Sequence, residues 1–117
     1  MSRVLGIIAA IILIFSSAAH SLLGWDALGA QLAQANAPAD LINGLRIGWQ
    51  FGGACMMTFG IIALVIFVRR MPSLPAFAIG VLYVAFGAWA LVASGFDPFM
   101  AIFIVPGVML LVAAWPR

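Results

Sequence analysis

The only histidine of the chain, His20, lies near the end of an apolar run from Val4 to about Leu23, with Ser16, Ser17 and Ser21 as its polar neighbours. Imidazole ordinarily exchanges a proton near neutrality, so His20 is the candidate for general acid–base work and for ligation. A second apolar run carries Asn43, Arg46, Trp49 and Gln50 in its first half, and Trp89 and Asp97 lie beside the ends of later runs. Imidazole, amide and guanidinium groups suit a carbonyl or hydroxyl head group, while tryptophan and aliphatic walls suit an apolar tail. His20, Asn43, Arg46, Trp49, Gln50, Trp89 and Asp97 therefore form the candidate ligand-binding set, with His20 as its candidate catalytic residue. No phosphate loop, no nucleophile with its base and no carboxylate pair is present, which argues against hydrolase and kinase chemistry. With one cysteine, Cys55, and one histidine, no metal site is expected. Haem on His20 is the one cofactor left open, and it would need Met100 or His20 of a second copy as the other axial ligand.

The elements that must position these groups follow from composition. Hydrophobic residues make up 67% of 117 and charged residues 7%, and the mean hydropathy is +1.26. A soluble domain of this size could not hide that much apolar surface. A crossing needs about 20 apolar residues for a hydrocarbon core of about 30 Å, and backbone groups in lipid must be satisfied within a helix. The sequence predicts an all-α integral membrane protein, one domain over 1–117, with four transmembrane helices at about 4–23, 41–68, 74–93 and 99–115. Arg3, an apolar stretch and Ser17-Ala18-Ala19 also fit a cleavable leader, but the expectation is a retained first helix. Between the first two spans Trp25, Leu28 and Leu32 recur at helical spacing among Gln31, Gln34 and Asn36. That pattern predicts a short amphipathic segment on the outer membrane surface, stopped by Pro38, with Asp40 capping the second span. Asp97-Pro98 reads as the N-cap and first position of the last helix.

Charge sets the orientation. Arg3, Arg69, Arg70 and Arg117 fall on one side, and Arg46 lies on the other with Asp26, Asp40 and Asp97. The positive-inside rule then places both termini in the cytoplasm of a multi-pass protein in a bacterial-type inner membrane. The net charge of +2 is topogenic, and no nucleic-acid partner is expected. At 1.5 Å per residue, His20, Gln50 and Trp89 come out at about 26, 28 and 24 Å above the arginine side, in the outer third of the bilayer. On the second span Asn43, Arg46, Gln50, Gly53 and Met57 share an arc of about 80°. Gly44, Gly48 and Gly52 form the opposite stripe, which would make this helix central, with a close neighbour on its glycine side. Ala76, Gly80, Tyr83, Gly87, Ala90 and Ser94 make a small-residue stripe on the third span, and Pro106-Gly107 should kink the fourth.

Three functions compete. The first is a pocket open to the outer leaflet that takes a quinone, lipid or isoprenoid. The second is a structural or accessory subunit that packs into a homo-oligomer or a larger membrane complex, with membrane lipids as the constant partner. The third is transport. In size and span count the chain resembles the small multidrug-resistance exporters, which implies small-molecule or proton-coupled transport. That family carries a glutamate in its first helix, where this chain has none, so His20 would have to replace it.

Overall fold

The computed structural model describes residues 2–115, so Arg117 lies outside the described residues. All secondary structure among them is helical: α1 (Ser2–Ala19), a π-helical turn (His20–Gly24), α2 (Trp25–Gln34), α3 (Ala39–Arg69), α4 (Leu74–Ala93), a 3-10 turn (Pro98–Met100) and α5 (Ala101–Ala114). Three helices are long and apolar enough to cross a membrane: the continuous Ser2–Gln34, Ala39–Arg69 and Leu74–Ala93. Pro98–Ala114 is apolar but shorter.

The amphipathic segment expected between the first two spans is helical, but it does not stand apart from α1. Gly24 and Trp25, at the join, both hold right-handed helical angles, and the helix runs 33 residues from Ser2 to Gln34. No proline interrupts this stretch, so nothing in the local chain forces a stop before Asn36. There the backbone turns left-handed (φ 54°) and the Ala37 N–H donates to the Leu32 carbonyl at 3.0 Å. α3 starts at Ala39, after Pro38 at the N-cap position without a side-chain cap, and Asp40 sits in its first turn, where its charge suits the helix dipole. It does not cap the helix as the sequence suggested. At its other end α3 closes with Arg70 left-handed (φ 56°) and the Met71 N–H on the Ile66 carbonyl at 3.0 Å.

The order of packing also differs from expectation. α3 is not the hub: its main neighbour is α1, which lies between α3 and α5, while α4 packs mainly on α5 and touches α3 more sparingly. The reason is the small-residue face of α1, where Gly6, Ala9, Ala10 and Ser17 are buried around Leu13 and admit a helix on each side. A Cβ on Gly60 of α3 would lie 2.7 Å from Ile14 Cγ1 and 3.1 Å from the Ile14 amide nitrogen, so the two backbones are in near contact there. α4 and α5 meet in the same way. The stripe read from the sequence is the buried face of α4, with Ala76, Gly80, Tyr83, Gly87 and Ala90 inside and Ser94 exposed. A Cβ on Gly80 would meet the Gly107 carbonyl at 3.0 Å, and α5 continues through a buried Pro106. Outside this core the surface is apolar: Phe15 is 72% exposed, Ile47 73% and Leu74 75%. Such a surface fits a lipid solvent.

Helix lengths set what stands beside what. At 1.5 Å per residue Ser2–Gln34 is about 50 Å long, α3 about 46 Å and α4 about 30 Å. The longest dimension of the molecule is 53 Å. α4 begins just after α3 ends, so the hairpin of α1–α2 with α3 overshoots α4 and α5 at the end away from Arg69. α2 packs only on α3 and the π-turn.

Candidate functional site

The π-turn is where the polar candidates meet. A π-turn carries one residue more than an α-turn, which displaces the amide ladder and leaves carbonyls open to other donors. Two side chains of α3 reach these carbonyls. Trp49 Nε1–H donates to the His20 carbonyl at 2.7 Å, and Gln50 Nε2–H donates to the Ser21 carbonyl at 2.9 Å. His20 returns the contact, with Nε2 3.2 Å from the Trp49 carbonyl. A carbonyl only accepts, so this bond requires the proton on Nε2. The two rings lie face to face, centroids 4.2 Å apart and planes 6° from parallel. Each residue thus holds the other's backbone with its side chain while the rings stack.

Glycines make the room for this clamp. A Cβ on Gly24 would sit 3.0 Å from the Trp49 ring, and one on Gly53 would collide with the Ser21 hydroxyl. Gly52 lies beside His20, its Cβ position 3.7 Å from Nε2. One turn below, Ser17 is buried and donates to the Ile14 carbonyl at 2.7 Å, with Met57 Sδ at 3.6 Å as a second contact.

Of the seven candidates, His20, Trp49 and Gln50 come together, the first two half-buried and Gln50 exposed. Asn43 and Arg46 stand exposed on the same helix, two and one turns further from the arginine end. Trp89 is 64% exposed on α4, and its aromatic neighbour is Phe86, centroids 5.5 Å apart. Asp97 is held locally: its carboxylate accepts from the Phe99 N–H at 2.9 Å, and its own N–H donates to Ser94 Oγ at 3.2 Å. That is the N-cap read from the sequence. The polar groups read from the sequence as lying at one level therefore resolve into an interhelical lock of α1 on α3, with Trp89 and Asp97 serving other elements.

Arg3 has a role that charge counting did not reveal. Its Nε and Nη2 donate to the carbonyls of Phe67 and Val68, both at 3.1 Å, and so cap the C-terminus of α3. The sequence signal was present in Gly6, one turn on, whose Cβ position would lie 2.6 Å from the Phe67 ring. No family model, curated protein or solved structure matches the chain.

Proposed function

We propose that the chain is a four-crossing protein of a bacterial-type inner membrane, both termini cytoplasmic, that works as a self-associating assembly subunit through the outer half of α3. One observation carries the reading. Every helical glycine meets a neighbouring side chain or backbone at the position of its missing Cβ, except Gly44 and Gly48, which face open space. The other interhelical glycines of this protein serve close packing, and in lipid such packing is the main source of helix association. Around these two, Leu41, Leu45, Ile47 and Phe51 are exposed, an apolar frame for a second copy of the same face.

A pocket for a quinone, lipid or isoprenoid is the second reading. It is favoured by the π-turn at His20, since π-turns gather at functional sites, and by Asn43 and Arg46 standing exposed beyond the clamp. Gly48→Leu separates the two. The assembly reading expects it to convert the purified protein from oligomer to monomer, measured as mass by light scattering in detergent, while His20→Ala keeps the oligomer. A monomeric wild type, or an oligomer indifferent to Gly48→Leu, sinks the assembly reading.

A further inference from the structure

We infer that the arginine end of the molecule binds one anionic phospholipid, its phosphate at Arg3 and Arg70 and one acyl chain along the flank of α3. A groove of about 430 Å³ opens there, with Ser2, Arg3 and Arg70 as its polar lining and Ile66, Phe67 and Met71 as its apolar lining. Arg3 is fixed by its bonds to the Phe67 and Val68 carbonyls. Those two bonds leave most of the five guanidinium N–H donors for another acceptor. Arg70 is exposed at the left-handed end of α3, and Arg69 precedes it. The three aspartates sit elsewhere: Asp26 in α2, Asp40 in the first turn of α3 and Asp97 before α5. Ser73, which opens α4 nearby, has its hydroxyl on the Ala114 carbonyl at 3.1 Å.

A second groove, of about 450 Å³, shares Ile66 and Met71 with the first. Its other walls are Ile61, Ile62, Val65, Pro72 and Pro75, without a charged residue. From Arg70 to Ile61 the helix rises about 14 Å. One leaflet of hydrocarbon is about 15 Å deep, half of the full core. A basic slot at the membrane surface that joins an apolar groove one leaflet deep fits a headgroup phosphate with its own acyl chain. A free anion would use only the first part. Interfacial arginines attract anionic lipid in the same sense. The inference rests on the membrane reading above, and it holds whether or not the protein self-associates.

The test uses the whole protein in nanodiscs of phosphatidylcholine with a minor fraction of phosphatidylglycerol, released for native mass spectrometry. The expected wild-type result is one retained phosphatidylglycerol per chain, in preference to phosphatidylcholine. Arg70→Gln should weaken that retention roughly fivefold, the effect of one interfacial charge. Ile62→Trp, which fills the acyl groove and keeps every arginine, should weaken it as well, so the inference does not hang on one variant's folding. Millimolar inorganic phosphate should not compete. Equal retention of the two lipids, retention unchanged in both variants, or full displacement by phosphate would each overturn the inference. Protein that stays in solution without detergent would overturn the membrane reading itself and this site with it.

Discussion

Trp49 and His20 can be separated energetically, because their contacts involve different atoms. Trp49→Phe removes the indole N–H and leaves an aromatic face against the imidazole, so the His20 carbonyl loses its 2.7 Å partner while stacking persists. Hydrogen bonds between helices in lipid average about 0.6 kcal/mol and reach about 1.7, and a short bond to a π-turn carbonyl belongs in the upper half. The expected cost is about 1 kcal/mol. His20→Ala removes the stack, about 1 kcal/mol for an offset aromatic pair, and the weaker 3.2 Å bond, for about 2 kcal/mol together. Both hydrogen bonds end on backbone carbonyls, and those survive substitution of the side chain that they belong to. A double-mutant cycle of His20→Ala and Trp49→Ala therefore reads the stacking alone, with an expected coupling of about 1 kcal/mol. Reversible unfolding in mixed micelles, followed by circular dichroism, gives the four free energies. A coupling below about 0.3 kcal/mol, the usual scatter of additivity, or a neutral Trp49→Phe would refute the clamp as an energetic unit.

Other perturbations test the packing. Tyr83 is 5% exposed, and its hydroxyl has no hydrogen-bond partner among the described residues. An unpaired buried hydroxyl costs about 1–3 kcal/mol in desolvation, so Tyr83→Phe should leave stability unchanged or raise it by up to about 1 kcal/mol in the same unfolding assay. Gly87→Leu should separate α4 from α5, because a Cβ there would already lie 2.6 Å from Ile104 Cγ1 and 3.1 Å from the Ile104 amide nitrogen. A loss of about 3 kcal/mol or failure to fold is expected for such overpacking, visible as a lower unfolding midpoint or as aggregation on extraction.

How much of this was legible in the sequence depends on the range of the signal. The apolar runs gave the helices, because a run of that length in lipid has one local solution. The α4 stripe was readable, since small residues at i, i+4 and i+7 place a face without reference to any partner. The equivalent inference for α3 failed. Gly44, Gly48 and Gly52 make as good a stripe as any, yet α1 packs on the other side of the helix, through Gly53 and Gly60. A stripe states that close approach is allowed and is silent on which helix approaches. Of the polar groups that counting put at one level, His20 and Gln50 do come together, with Trp49, whereas Trp89 lies near Phe86 on α4. Whether such groups line a gap or close it depends on rotamers and on the π-turn, and neither has a one-dimensional signature. The paired Gly52-Gly53 opposite His20 and Ser21 was the nearest thing to one.

The position of the clamp has a physical logic of its own. Below His20, α1 and α3 are held by Gly6, Ala10, Gly60 and Ala63, an interface that works by close van der Waals approach and needs a tightly packed surround. Beyond it α4 and α5 fall away, and α2 faces only α3, with Asp26, Gln31 and Gln34 exposed. On the membrane reading proposed above, this end stands outside the hydrocarbon, where helix pairing gains little from hydrogen bonds. On the same reading, a level about 26 Å from Arg3 falls near the far edge of a hydrocarbon core of about 30 Å, the last height at which a carbonyl would be dry enough for a side-chain donor to matter. A π-turn at that height exposes carbonyls to α3, and Trp49 and Gln50 satisfy them. The lock thus joins two regimes of one long hairpin. It holds α2 in line with α1 and so sets the direction in which the open Gly44–Gly48 face of α3 is presented.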